Sequence, residues 1–170
     1  MNLQDYIRDI QDFPKPGITF KDITPLLLSP EATHFCLESL AKPLEHIKID
    51  KVIGVESRGF FFGTLLAQKL NAGFVPVRKP RKLPYKTISA SYELEYGSDT
   101  LEIHIDAIQK GDKVVIHDDV LATGGTAKAV CELVEQLGGE IVQLNFLMEL
   151  TFLNGREKVG NRPIFSALTY

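Results

Sequence analysis

The sequence predicts an α/β protein with a central, mostly parallel sheet flanked by helices. Three observations carry that prediction. Short apolar strands alternate with helix-period segments, glycine-containing loops follow two of those strands, and one alternating stretch near the middle reads as an antiparallel hairpin. Bulk properties agree with a compact protein. At 170 residues and net charge −3, the chain is long enough for one domain with a substantial core and has no general attraction for nucleic acid or anionic membranes. Its longest apolar runs, such as residues 60–67, fall far short of a membrane span, and Asp5, Arg8 and Asp9 break any signal-peptide pattern. A cytoplasmic location is therefore expected. Cys36 and Cys131 lie apart in helix-like apolar patterns and read as reduced core residues. His34, His46, His104 and His117 never fall at metal-ligand spacing, so no protein-held zinc site is expected.

Taken in order, Leu3, Ile7 and Ile10 have helical spacing behind Asn2 and predict a short amphipathic helix. Over residues 12–27, Pro14, Pro16 and Gly17 then forbid regular structure and stiffen a loop. Ser29 followed by Pro30 is an N-cap with proline at the first helical position. Leu37, Leu40, Leu44 and Ile47 continue that helix, which Pro43 should kink or restart. "KVIGV" is a strand, "ESRG" a loop, residues 59–71 a helix, and residues 74–78 a second strand. The basic stretch 78–86 has no apolar periodicity and should be exposed. Ile88, Ala90, Tyr92, Leu94 and Tyr96 alternate, as do Leu101, Ile103 and Ile105 across "GSD", which predicts the hairpin. "KVVIH" is a strand, Ala127, Val130, Val134 and Leu137 mark a helix closed by Gly138, and "EIVQLNFLM" and "PIFSAL" are the remaining strands.

In parallel sheets of this kind ligands sit beyond the carboxyl ends of the strands. Two predicted loops lie there, at residues 56–59 and 118–126. In the second, Gly124 and Gly125 let the backbone turn its N–H groups inward, Thr123 and Thr126 add hydroxyls, and the following helix presents its positive end. Those features suit a phosphate monoester. There is neither a G-K-[ST] nor a G-x-G-x-x-G, so this is not a Walker A loop or a dinucleotide fingerprint. Asp118 and Asp119 would repel phosphate but pair well with vicinal hydroxyls. A ribose 5-phosphate group fits both halves, whereas a surface Asp-Asp turn explains neither.

The run "VVIHDDVLATGGT" resembles the phosphoribosyl-pyrophosphate (PRPP) signature of the type I phosphoribosyltransferases, and Ala122 falls within it. "FPKPGITFKDITPLL", "ESRGFFFG", "RKPRKLP" and "SYELEYG" are together similar to the adenine branch of that family, from end to end. The resemblance implies the type I phosphoribosyltransferase fold in one domain over 1–170, with an N-terminal base-binding hood (1–30) and a mobile lid and hairpin (79–96). It implies a purine salvage reaction of adenine and PRPP that yields AMP and pyrophosphate, and a homodimer. Mg²⁺ is the implied cofactor, held through PRPP and water, so no protein metal ligands are expected.

The same resemblance distributes the roles. Ser57, Arg58 and Gly59 grip the diphosphate, with a cis peptide between Glu56 and Ser57; "ESRG" alone would read as an ordinary turn. Lys79 and Lys82 reach the diphosphate from the lid, and Arg58 and Lys82 count with Glu95 as catalytic. Glu95 matches the family's catalytic glutamate, which exchanges a proton with purine N7; strand alternation alone would not choose it over Glu93. Phe20 stacks on adenine, backbone groups of Thr19 and Lys21 bond its edge, and Val120 covers the other face. His117 departs from the aliphatic residue usual before the paired acids and would add a titratable group near the ribose. Two alternatives remain open: a phosphoribosyltransferase for xanthine, guanine or hypoxanthine, and a non-catalytic PRPP-sensing regulator, for which the chain offers no spare nucleic-acid-binding segment.

Overall fold

The computed structural model describes residues 1–93 and 98–170. They form two compact units, Met1–Ser39 and Leu40–Tyr170. In the first, a 3-10 turn at Leu3–Tyr6 takes the place of the expected helix, and the chain then extends into β1 (Arg8–Ile10). β1 pairs antiparallel with β2 (Phe20–Asp22), so ladder bonds replace helical ones for residues 8–10. The apolar stripe was no core face: Leu3 is buried, but Ile10 is exposed. Between the strands Phe13–Pro14 is cis, and Gly17 at φ +85° donates its N–H to Asp12 Oδ1 at 2.7 Å. The irregular loop is thus shorter than expected. It gives way to β2 and to α1 (Thr24–Leu28), where the Asp22 carboxylate accepts from the Thr24 N–H at 2.9 Å. α2 (Pro30–Ala41) starts as anticipated, with Ser29 Oγ accepting from the Ala32 N–H at 3.2 Å. Pro43 restarts the chain as a 3-10 turn at Lys42–Leu44.

In the second unit β3 (Lys51–Val55), α3 (Gly59–Lys69) and β4 (Gly73–Val77) fall where the apolar patterns put them. The hairpin β5 (Thr87–Glu93) and β6 (Ser98–His104) follows, paired antiparallel. Then come β7 (Lys113–Leu121), α4 (Gly125–Gln136) and β8 (Glu140–Glu149). Two short elements had no sequence counterpart, a 3-10 turn at Thr151–Leu153 and α5 (Gly155–Val159). β9 (Ile164–Thr169) completes a five-stranded sheet of order β4-β3-β7-β8-β9, parallel throughout.

Strand alternation sorts the two faces. Ile53, Val55, Val75, Val77, Val114 and Ile116 join one core cluster with α4 and the hairpin, through Val130, Val134, Leu101 and Ile103. His117 lies on the opposite face, where its ring meets Phe62 of α3 edge-on at 6.5 Å. β7 is longer than the apolar run suggests. It continues through Asp118, Asp119, Val120 and Leu121 because Phe146, Met148 and Glu149 of β8 are there to pair with Asp118, Val120 and Leu121. The acid pair is therefore strand, not loop. Cys36 and Cys131 are free and buried, which pushes each thiol up to about 12. Among the described residues, no helix is long and apolar enough to cross a membrane.

Candidate active site

The carboxyl ends of β3 and β7 carry the loops that the sequence singled out. After β3, the peptide bond between Glu56 and Ser57 is cis, as the resemblance implied. Ser57 is exposed, and buried Gly59 opens α3 directly against β7. A Cβ on Gly59 would stand 2.9 Å from the His117 carbonyl oxygen and 3.0 Å from Asp118 Oδ1, so only glycine allows this approach. That closeness brings the two loops together. Arg58 Nε lies 2.7 Å from Asp119 Oδ2. The contact is an ion pair without hydrogen-bond alignment, since Oδ2 has no hydrogen-bond partner among the described residues.

Two adjacent carboxyls at a buried strand end cannot both ionise at low cost. Burial and then the Asp119 charge push the Asp118 carboxyl well above the usual range. Burial raises Asp119 too, but the Arg58 guanidinium opposes it. Of the two, Asp119 is the acid whose charged form has a counter-ion beside it. Asp118 Oδ1 accepts from the Asp119 N–H at 2.9 Å, which keeps its carboxyl at the strand end.

Beyond Leu121 the glycine loop is short, from Ala122 through Gly124 into α4. Gly124 has φ +83°, a left-handed conformation that favours glycine, and among the described residues no side chain caps α4. The first N–H groups of a helix have no intrahelical partner, so this uncapped end is an anion site in waiting. A cavity of about 60 Å³ opens there between Asp118, Val120, Thr123, Gly124, Gly125 and Thr126.

Glu56 is a hub that sequence reasoning passed over. Its Oε2 accepts from the Lys79 N–H at 2.9 Å and from Arg78 Nε at 3.2 Å, while Oε1 accepts from Arg78 Nη2 at 3.2 Å. Lys82 Nζ stands 4.0 Å from the same Oε1. Burial raises the Glu56 carboxyl, but the Lys79 N–H and Arg78 outweigh it and hold it below the usual range. The basic stretch is thus anchored at its start, with Arg78 and Lys79 half-buried, rather than exposed throughout. Lys79 Nζ is paired with Asp99 of β6, which also accepts from the Tyr92 hydroxyl at 3.3 Å. Glu95 lies outside the described residues.

His117 is placed differently from the expectation. It is fully buried, on the face of β7 that meets Phe62 of α3. Asn145 donates from Nδ2 to the Leu40 carbonyl and Gln143 Oε1, both at 3.0 Å, so its Oδ1 faces His117 Nδ1 at 3.0 Å. The imidazole proton therefore sits on Nδ1. Burial, against the Asn145 hydrogen bond, lowers the ring to about 4, and it stays neutral near pH 7.

Thr19, Phe20 and Lys21 belong to the N-terminal unit, Phe20 and Lys21 in β2 and Thr19 just before it. Phe13 meets the Phe20 ring edge-on at 5.2 Å, Lys21 Nζ is 2.7 Å from Asp9, and Thr19 Oγ1 donates to Gln11 at 2.8 Å.

The parallel sheet, the loop with its cis peptide, the acid pair and the glycine loop define a type I phosphoribosyltransferase fold. Residues 33–158 match the phosphoribosyl transferase domain. An adenine phosphoribosyltransferase of Flavobacterium johnsoniae is 73% identical over 170 residues, covering 100% of both chains. The crystal structure of adenine phosphoribosyltransferase from Rhodothermus marinus superposes with TM-score 0.95 at 55% identity, over 99% of this chain and 96% of that one. The Saccharomyces cerevisiae adenine phosphoribosyltransferase, complexed with adenine and an imino-altritol bisphosphate, gives TM-score 0.92 at 45% identity, over 96% and 95%. The chain belongs to the adenine phosphoribosyltransferase family.

Proposed function

We propose that the protein transfers the 5-phosphoribosyl group of PRPP to N9 of adenine, giving AMP and pyrophosphate. One observation carries the reading. The acid pair stands between an arginine loop and an uncapped helix N-terminus, so anionic groups have places on both sides of a hydroxyl-binding centre. In the proposed arrangement the phosphate loop holds the 5-phosphate with the Gly124 and Gly125 backbone and the Thr123 and Thr126 hydroxyls. Asp118 and Asp119 hold the ribose hydroxyls. Ser57, Arg58 and Gly59 hold the diphosphate, and Arg58 exchanges its Asp119 partner for it.

As the C1′–O bond to pyrophosphate breaks and the C1′–N9 bond forms, the sugar becomes cationic and the leaving group gathers negative charge. Arg58, Lys79 and Lys82 stabilise the leaving group, and a lid over 79–96 excludes water from the cation. Glu95 exchanges a proton at N7, and the N9 proton passes to solvent. Phe20 and Val120 sandwich the base, and backbone groups at 19–21 in the hood (1–30) read its edge. Among the described residues, no cluster of three or more His, Cys, Asp or Glu side chains would hold a metal. Mg²⁺ would be carried on PRPP and water, and when bound it would supply positive charge to the diphosphate. We also place the protein in the cytoplasm as a homodimer.

The test is a product assay with PRPP, Mg²⁺ and each purine base. A backbone edge that gives C=O to N6 and N–H to N1 opposes like groups in a 6-oxopurine. kcat/KM for hypoxanthine and guanine should therefore be at least about 10³-fold below that for adenine. Comparable turnover of hypoxanthine would refute the base assignment and leave phosphoribosyl transfer standing.

A further inference from the structure

The phosphate loop has little of its own to hold it in place. Ala122, Thr123, Gly124 and Gly125 bring small side chains, and α4 begins without a side-chain cap. What the loop rests on is α5. A Cβ on Gly124 would fall 2.3 Å from the Gly155 carbonyl oxygen, and one on Gly155 would fall 2.3 Å from the Ala122 carbonyl oxygen. The two backbones therefore touch at both ends of the loop.

α5 itself is five residues long, too short to keep its place by helix formation alone. It is entered through Asn154 at φ 52° and left through Gly160 at φ 71°. Two of its side chains tie it down. Val159 is buried in the main core. Arg156 turns back to the end of β8, where its Nε donates to Glu149 Oε1 at 2.7 Å and its Nη2 to Oε2 at 2.6 Å. Paired N–H bonds of this kind fix direction as well as distance.

Glu149 is a firm anchor. It is 4% exposed, Ser166 of β9 donates to its Oε2 at 3.1 Å, and it stands beside Leu121 in the β7–β8 register. The next residue, Leu150, donates its N–H to the Leu121 carbonyl at 2.9 Å, where the phosphate loop begins. The Arg156 bonds hold Glu149 below the usual carboxylate range, and Glu149 in turn raises Arg156.

We infer that Glu149 and Arg156 are positioning residues for the 5-phosphate cradle. The clamp fixes α5, α5 fixes the backbone from Ala122 to Gly124, and that backbone decides where the first N–H groups of α4 meet the phosphate. The inference rests on the proposed phosphoribosyl transfer for the identity of the bound group. Nothing in the clamp touches the diphosphate loop or the base, so its influence should be confined to one end of PRPP.

The test compares the full-length wild-type protein with Arg156→Met, Arg156→Lys and Glu149→Gln. AMP formation is measured with PRPP and adenine varied separately. Ribose 5-phosphate and pyrophosphate are titrated by calorimetry, and thermal unfolding is followed alongside. Arg156→Met should raise KM for PRPP by about 10-fold, the equivalent of one lost charge-assisted bond. kcat should stay within about 3-fold and KM for adenine should not move, because a change confined to binding leaves the chemical step alone. Ribose 5-phosphate affinity should fall by the same factor as KM rises, with pyrophosphate affinity unchanged. Arg156→Lys keeps the charge without the fork and should fall between. If Arg156→Met does not fold, Arg156→Lys and Glu149→Gln decide. The inference is overturned if folded variants keep wild-type ribose 5-phosphate affinity and KM for PRPP, whatever their melting temperature. Failure of the wild-type protein to make AMP, with ribose 5-phosphate binding lost in the variants, would refute the proposed reaction and keep the clamp. Absence of ribose 5-phosphate binding to the wild-type protein would refute both.

Discussion

His117 offers a perturbation whose size follows from the structure. The ring is fully buried and neutral, with its proton on Nδ1 and Nε2 without a partner among the described residues. Protonating Nε2 would place a charge and an unpaired donor in a site bounded by Phe62. Burial accordingly lowers the ring from 6.5 to about 4. A histidine whose folded value is depressed leaves stability untouched above about pH 6.5 and removes it as pH falls towards 4. In that window the unfolded chain takes up a proton that the folded chain refuses. At about 1.4 kcal/mol per pH unit the full loss is about 3 kcal/mol, of which about 2 kcal/mol falls between pH 7.5 and 5.0. Replacing the ring by an apolar side chain of similar reach, His117→Met, removes the titration. It also strips Asn145 Oδ1 of its donor, a cost of about 1–3 kcal/mol at every pH. Urea unfolding of both proteins at half-unit steps from pH 7.5 to 5.0 separates the two effects. His117→Met should be the less stable protein at pH 7.5, and the gap should narrow by about 2 kcal/mol by pH 5.0. Asp50, Glu56 and Glu149 are all held below their usual range, are common to both proteins and cancel in the difference. Stability curves that run parallel across the window would refute the reasoning.

Other outcomes test the site. Gly124→Ala sets a Cβ 2.3 Å from the Gly155 carbonyl at a positive φ, so it should lower the melting temperature as well as PRPP affinity. Thr126→Val, free of that clash, should cost about 1 kcal/mol of ribose 5-phosphate binding with little change in melting. An unaltered titration in that variant would remove the hydroxyl from the cradle. Glu95→Gln should lower kcat by about 10²–10⁴-fold while adenine and PRPP still bind, and Glu93→Gln should stay active; the reverse pattern in steady-state assays would reassign the base-facing acid. Asp99→Asn releases Lys79 from its ion pair and should lower KM for PRPP by up to about 5-fold, a small effect because the pair is half exposed. A raised KM would mean that Asp99 helps Lys79 rather than competing for it.

What was legible in the sequence was what a short stretch of chain determines by itself. The apolar runs of β3 and β8, the alternation of β5 and β6, and the Ser29–Pro30 start of α2 each depend on neighbours within a few residues. The glycine loop before α4 belongs to the same group, because glycine pairs reveal a backbone requirement where they stand. What escaped was set by partners distant in the chain. Arg8–Ile10 became a strand only because Phe20–Asp22 lay within reach, and β7 ran through the acid pair only because β8 was long enough to receive it. Glu56 looked like a turn residue until Arg78, 22 positions on, came to its carboxylate. His117 read as a titratable group near the ribose until Asn145 and Phe62 enclosed it.

The distinction bears on Gly124. Read locally, its place in the chain belongs to a ligand; read in the fold, the same missing Cβ is also demanded by the Gly155 carbonyl. α5 is too short for periodicity to reveal, and only the Asn154–Gly155 pair hinted at a turn there. A glycine required twice cannot tell the two demands apart, so loss of PRPP binding on its replacement would not by itself establish the cradle. The Thr126 hydroxyl faces no such double demand. If the loop binds phosphate, that side chain should weaken binding when its oxygen is removed while the backbone around Gly124 stays where α5 holds it.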